Sequence, residues 1–297
     1  MSAEETDVLL RAAADRLRAA GVPAPNTDAR LLLAHVWDCQ LSDVALHALR
    51  GTRVPSGVSE RFSRLVARRV RREPLQHITG HAPFRYLELA VGPGVFIPRP
   101  ETELLVGCVL EWLRRTRVPS PRILDLCTGT GALALSLATE VEHSSVVGVE
   151  RSRAALDYAE RNLATLQPSI AAERSTCEFV SADVRDLPDL GVFDIVVSNP
   201  PYVPVASQPD IPEVTGYDPA DALYGGGEDG MEMPSVVIGQ AARLLRHGGF
   251  VVIEHAESQG EPVRQVMAAS GFGGAVTHAD YTGRDRFTSA ELEAEDT

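Results

Sequence analysis

Arg122-Ile123-Leu124-Asp125-Leu126-Cys127-Thr128-Gly129-Thr130-Gly131 reads as a short apolar strand running into a glycine turn. A run of helix formers, residues 132–138, follows directly, and Val146-Val147-Gly148-Val149-Glu150 reads as a second strand that closes on an acid. That acid lies about twenty residues past the turn, the spacing of the mononucleotide-binding half of a doubly wound α/β sheet. The glycines let the backbone approach a ligand, and Glu150 is placed to hold both ribose hydroxyls. Ala134 stands where the dinucleotide fingerprint has its third glycine, a replacement that the looser form of the pattern allows.

Downstream, Cys177-Glu178-Phe179-Val180-Ser181 reads as a third strand leading to Asp183 and Val184. Asp183 is either an acceptor for the amino group of an adenine or a plain loop acid. The apolar run Phe193-Asp194-Ile195-Val196-Val197 is a fourth, buried strand and delivers Ser198-Asn199-Pro200-Pro201-Tyr202. Two prolines cannot continue a sheet ladder, so the chain leaves the sheet there. A side-chain amide, backbone carbonyls with few competing N–H groups and an aromatic face then meet at the carboxyl end of a strand, where open α/β sheets bind ligands. Such a corner suits a planar NH2 group; an ordinary Pro-Pro turn is the alternative. Asp125, ahead of so compact a glycine turn, resembles S-adenosylmethionine methyltransferases more than nicotinamide enzymes. Residues 203–233 read as a long Pro/Gly/Asp-rich loop, of a length usual for lids and binding loops. Beyond it lie a helix near 235–245, a strand at 250–254, a helix at 259–269 and strands near 275–278 and 286–289, with His255 read as structural.

Upstream, residues 1–73 read as a bundle of four helices. The first carries Leu10, Ala13, Ala14 and Leu17 at i, i+3, i+4, i+7 spacing, with Gly21 and Pro23 ending it. The fourth puts Val58, Phe62, Leu65, Val66 and Val70 on one side and Arg61, Arg64, Arg68, Arg71 and Arg72 on the other. The arginine face is a docking surface for an acidic partner or RNA, or simply a solvated face, and the solvated reading is favoured. Residues 74–98 read as a β-hairpin linker that pairs 76–80 with 84–91, and residues 99–297 as the catalytic body. Glu101 and Glu103 suit a helix start, where acids meet the positive helix end, and the Arg99-Pro100-Glu101 segment is also placed to line a site.

The chain has 297 residues, 44% hydrophobic and 23% charged, in the range of ordinary globular proteins. All 28 basic residues are arginine. Lysine chemistry, including Schiff bases, pyridoxal enzymes and the P-loop lysine, is therefore excluded. Residues 1–98 hold 13 arginines and 10 acids, and residues 99–297 hold 15 arginines and 31 acids, so the catalytic body carries −16. A body of that charge repels phosphate backbones and disfavours a nucleic-acid substrate. The four cysteines are far apart and the eight histidines form no H-E-x-x-H, so no metal site is expected. With an acidic start and no membrane-length apolar run, a cytoplasmic protein is expected.

The segments Pro74-Leu75-Gln76-His77-Ile78-Thr79-Gly80, Ile97-Pro98-Arg99-Pro100-Glu101-Thr102-Glu103, Asp125 to Gly131, Asn199 to Tyr202, Asp218-Pro219 and Glu254-His255 together resemble the PrmC/HemK family of protein-(glutamine-N5) methyltransferases, which modify peptide chain release factors. The resemblance implies a Rossmann-like class I methyltransferase sheet joined by the hairpin to a small N-terminal helical domain for substrate recognition. It further implies S-adenosyl-L-methionine held by Cys127, Thr128, Gly129, Thr130, Gly131 and Glu150, with Asp183 and Val184 near the adenine and Asn199 beside the methyl group. Asn199, Pro200, Pro201 and Tyr202 would hold the glutamine of a Gly-Gly-Gln loop, and a monomer is the expected state. Asn199 Oδ1 and the Pro200 carbonyl would accept the two amide hydrogens, with Tyr202 packed over the amide. Cys127 stands where many members have glycine, and Val184 where some have a larger aromatic. The corner motif is shared with amino-methylating DNA and RNA enzymes, so a nucleic-acid exocyclic-amine methyltransferase is the first rival. A catalytically silent binding protein built on the same scaffold is the second.

Overall fold

A computed structural model describes residues 4–207 and 210–294. They divide into two compact units, residues 4–81 with 210–217, and residues 82–207 with 218–294.

The first unit is all helical. Thr6–Ala19, Pro25–Trp37, Leu41–Leu49 and Ser56–Val70 close on one core, in which Leu17, Leu32, Leu33, Val44, Phe62 and Val66 are fully buried. Apolar spacing at three and four residues puts these side chains on one stripe of each helix, which is why the bundle is legible from the pattern. The arginine face of the fourth helix is only partly solvated. Arg61, Arg64 and Arg71 are exposed, whereas Arg68 pairs with Glu73 at 2.5 Å and Arg72 with Glu213 at 2.6 Å. Arg69, buried on the same helix, binds Asp28 Oδ2 at 2.8 Å and Glu213 Oε1 at 2.7 Å. Burial would raise the Glu213 carboxyl, but hydrogen bonds from Arg72 and Arg69 outweigh it and hold the group at about 2.

Residues 76–80 are not a strand. Leu75–Thr79 is a short helix that begins after Pro74 and stops at Gly80, whose φ of 82° takes the left-handed cap conformation that glycine alone adopts freely. The hairpin is shorter than expected, β1 at His81–Phe84 and β2 at Leu87–Ala90, turning through Arg85 and Tyr86. It falls almost wholly within the second unit rather than forming a separate linker.

The second unit is built on a seven-stranded sheet. Its strands are β3 (Arg122–Leu126), β4 (Ser145–Glu150), β5 (Thr176–Ser181), β6 (Phe193–Ser198), β7 (Leu245–Glu254), β8 (Phe272–Ala279) and β9 (Asp285–Leu292). Their order is β5-β4-β3-β6-β7-β9-β8, parallel except for β9, which is antiparallel to both of its neighbours. Helices cover both faces, so the central strands are apolar on both sides and Ile123, Leu124, Leu126, Ile195, Val196 and Val197 are completely buried. The strand order reverses between β3 and β6, and the register there sets the site. Val149, Leu126, Ser198 and Ile253 lie in one row across four strands, so Glu150, Cys127, Asn199 and Glu254 reach the carboxyl edge at the same level. The expected loop at 203–233 is broken by two short helices, Pro212–Tyr217 and Ala220–Leu223, the first of which belongs to the helical unit. Among the described residues no helix is long and apolar enough to cross a membrane.

Candidate active site

A cavity of about 700 Å³ opens at the carboxyl edge of the sheet. Cys127, Thr128, Gly129, Thr130, Glu150, Asp183, Val184, Asn199, Pro200, Pro201 and Tyr202 all line it. Gly131 does not. It starts the helix Ala132–Glu140 with φ 82°, and a Cβ there would come within 2.8 Å of the Phe179 ring. Its part is to turn the chain tightly under the cavity.

The acid that ends β4 is already fixed. Glu150 Oε2 accepts from the Gly129 N–H at 2.9 Å and Oε1 from the Ser152 N–H at 2.8 Å, which holds the carboxylate in place at the cavity wall. Beneath it, fully buried Asp125 takes hydrogen bonds from the Thr128 hydroxyl and the Ala134 N–H and so ties the turn to the following helix. Burial raises its carboxyl to about 7 against those two hydrogen bonds. Cys127 occupies left-handed backbone space at φ 62°, a conformation that costs a residue with a Cβ roughly 1–2 kcal/mol and favours glycine. Its thiol is pushed far up by burial and by the nearby Glu150 and Asp125 carboxylates. Cys127 is therefore expected to alkylate with iodoacetamide at pH 8 much more slowly than a free thiol, of ordinary pKa about 8.5. Rapid labelling of the Cys127 peptide by mass spectrometry would contradict this.

Asp183 accepts from the Arg185 N–H at 2.9 Å, the main reason its carboxyl lies below the ordinary range, and Arg151 and Arg185 both stand 3.6 Å from Oδ2. Val184 lines the cavity and is otherwise buried in the apolar layer beneath the sheet.

At the other end of the cavity the Asn-Pro-Pro-Tyr corner is held from several sides. The Asn199 amide Nδ2 donates to Thr102 Oγ1 at 3.1 Å, and Thr102 donates to Glu254 Oε2 at 2.7 Å. The Tyr202 hydroxyl donates to the other carboxylate oxygen, Glu254 Oε1, at 3.0 Å. Behind the corner the Tyr202 N–H donates to the Leu223 carbonyl at 3.1 Å and Gln259 Nε2 to the Tyr202 carbonyl at 2.9 Å. Gly230, at φ 76°, passes so close that a Cβ would lie 2.2 Å from that carbonyl. Arg99 stacks over Phe96 and reaches Asp218 Oδ2 at 2.5 Å, so the Arg-Pro-Glu segment is clasped to the loop that follows the corner. Burial raises Asp218 to about 6 while Arg99 and the Ile97 N–H oppose the shift.

Thr102 and Glu254 were the residues least visible as parts of the site. Both lie inside recognisable segments, but register brings Glu254 level with Asn199, and only the hydrogen bonds from Asn199 to Thr102 and from Thr102 to Glu254 show that they share one network. His255 points elsewhere, bonded to the Ala256 carbonyl and Thr288 Oγ1, in keeping with a structural role.

The sheet order, the glycine turn and the carboxyl-edge cavity define a class I S-adenosylmethionine-dependent methyltransferase. The residues fit that cofactor: a turn that lets the backbone close on a ligand, a pre-fixed carboxylate, Glu150, at the cavity wall and acidic groups around a cavity that must accept a cation. Residues 8–80 match the PrmC N-terminal domain and residues 119–288 match a methyltransferase domain. The release factor glutamine methyltransferase of Bifidobacterium longum is 44% identical over 96% of this chain and 98% of its own length. That of Streptomyces coelicolor is 45% identical over 94% and 95%. A Streptomyces pristinaespiralis protein named 4-amino-L-phenylalanine/4-methylamino-L-phenylalanine methyltransferase is 38% identical over 87% and 86%. The chain belongs to the release factor glutamine methyltransferase family.

Proposed function

We propose that this chain transfers the methyl group of S-adenosylmethionine to the side-chain amide nitrogen of the glutamine in the Gly-Gly-Gln loop of a peptide chain release factor, a step in the service of translation termination in the cytoplasm. The observation that carries this reading is that Asn199, Pro200 and Tyr202 line the same cavity as Glu150 and the glycine turn. When bound, the cofactor supplies a methyl group on a positively charged sulfur that leaves as a neutral thioether. Thr128, Gly129 and Thr130 would close on it through the backbone, Glu150 would accept from its ribose hydroxyls, and Asp183 beside Val184 would accept from its adenine amino group. Replacing a charged acceptor of such hydrogen bonds costs about 1.5–3 kcal/mol each. Glu150→Gln is accordingly expected to weaken S-adenosylmethionine binding at least tenfold by calorimetry, and unchanged affinity would remove Glu150 from this role.

An amide nitrogen is a weak nucleophile because its lone pair is delocalised into the carbonyl. Asn199 Oδ1 and the Pro200 carbonyl accept its two hydrogens and hold the group so that its free face meets the methyl carbon, with the Tyr202 ring against the amide plane. No strong base is required beforehand, since the nitrogen becomes acidic only after it is alkylated. Positioning is then the main catalytic contribution, and alignment of this kind supplies on the order of 7–11 kcal/mol. The −16 body speaks against the nucleic-acid rival. Mass spectrometry of a release-factor tryptic peptide, with and without the enzyme, tests the proposal. A single added methyl on the glutamine supports it; methyl incorporation into RNA, DNA or an arylamine in place of the peptide overturns it.

A further inference from the structure

The Asn199 side chain is useful to an incoming NH2 group only if its oxygen, not its nitrogen, faces the cavity. A primary amide is nearly symmetric in shape, so something other than packing must choose. Thr102 Oγ1 is the neighbour of Asn199 Nδ2, and a threonine hydroxyl can in principle donate or accept. Here its proton is already committed to Glu254 Oε2, so it presents only lone pairs to Asn199. Turning the amide over would set Asn199 Oδ1 against those lone pairs. The same carboxylate takes the Tyr202 hydroxyl on Oε1, and both Thr102 and Glu254 are buried, at 4% and 2% exposure, where an unmet hydrogen bond is costly.

We propose that Glu254, acting through Thr102, is a positioning residue that fixes the amide orientation of Asn199 and the ring of Tyr202, so that one carboxylate presets both halves of the acceptor corner. This rests on the reading that Asn199 receives the acceptor amide. Neither Thr102 nor Glu254 touches the reacting atoms in this scheme. Their work is done before substrate arrives.

The relay needs Glu254 ionised, because each of its oxygens must accept a hydrogen bond. Burial raises the carboxyl to about 7, opposed by the Thr102 and Tyr202 hydroxyls and by Arg286, and reinforced by Glu101. Arg286 is itself held 3.2 Å from Asp280, and the neighbouring His255 is bonded away from the carboxylate. A proton on Glu254 would make one oxygen a donor and force either Thr102 or Tyr202 to turn. The rate of transfer should therefore rise with pH as Glu254 ionises near 7.

The test measures tritiated methyl transfer to a purified release factor, with S-adenosylmethionine affinity by calorimetry as the control for folding. Thr102→Val, which keeps the shape and removes the hydroxyl, is expected to lower kcat about 100-fold, the cost of a misplaced reacting group, with cofactor affinity changed less than about 3-fold. Thr102→Ser should return kcat to within about 5-fold of wild type, because it restores the relay. Glu254→Gln, obliged to donate from one side, should lose a similar factor and flatten the pH profile. Thr102→Val and Glu254→Gln that keep wild-type kcat while Asn199→Ala is inactive would overturn the relay and leave the corner's role standing. Thr102→Ser as damaged as Thr102→Val would also overturn it, as a purely structural effect. An active Asn199→Ala would overturn the underlying reading and the relay with it.

Discussion

Asn199→Ala is expected to lower methyl transfer to a release factor about 10³-fold, the upper range for loss of one preorganised hydrogen-bonding group at a reacting centre, while S-adenosylmethionine binding stays nearly unchanged. The split follows from where the residue stands. Asn199 leaves β6 level with Cys127 and Glu150, so it shares the cavity with the glycine turn, but its side-chain amide is bonded to Thr102, away from that turn. Removing the amide takes away the oxygen that would accept an acceptor N–H and leaves Gly129, Glu150 and Ser152 bonded as before. Truncation also strands Thr102 Oγ1 without its donor, a modest additional cost in a buried site. Single-turnover kinetics with calorimetry of cofactor binding would check both halves. Near-wild-type transfer would remove Asn199 from the acceptor site, and a parallel loss of cofactor affinity would show that the change had disturbed the fold instead.

The second large effect is on stability. Arg69→Ala should destabilise the helical unit by about 3–5 kcal/mol, because it leaves buried carboxylates without their cation. Arg69 joins Asp28 on Pro25–Trp37 to Glu213 on Pro212–Tyr217, and its side chain is only 7% exposed. Arg72 still reaches Glu213, so the greater share of the loss falls on Asp28, which is 7% exposed overall. Replacing the pair together, Arg69→Met with Asp28→Leu, should cost far less, since a buried ion pair exchanged for apolar side chains of similar volume is often close to neutral. Chemical denaturation followed by circular dichroism would measure this, and an Arg69→Ala loss below about 1 kcal/mol, the scale of a surface pair, would sink the claim. The sign with pH is also determined. Glu213 titrates at about 2 in place of 4.5, so its contribution is present above pH 4.5 and lost as pH falls toward 2.

Much of the site is legible in the sequence because it lies where local patterns change. A strand that ends in a glycine turn, a strand that ends in an acid and a strand that ends in two prolines each announce a carboxyl edge, and parallel pairing puts those edges side by side. Gln76 to Gly80 misled because a short segment with Ile and Thr between turn residues fits a strand as well as one helical turn. Pro74 and the left-handed Gly80 decide for the helix. The loop at 203–233 misled for a related reason. Its short helices are too brief to show a period and are held by tertiary bonds such as Arg69 to Glu213, 144 residues away.

The amino-acid sequence by itself determined the class of sheet, the glycine turn, Glu150, the amide-and-proline corner and the absence of lysine chemistry, because each is a property of neighbouring residues. Only the tertiary structure decided that Glu254 and Thr102 stand behind Asn199, that Gly131 shapes the turn without lining the cavity, and that Arg69 is buried between two acids while Arg61 and Arg64 on the same helix, and Arg71 at its end, stay exposed. Strand register and helix packing bring together residues that are 152 positions apart in the case of Thr102 and Glu254, and no local periodicity carries a signal over that distance.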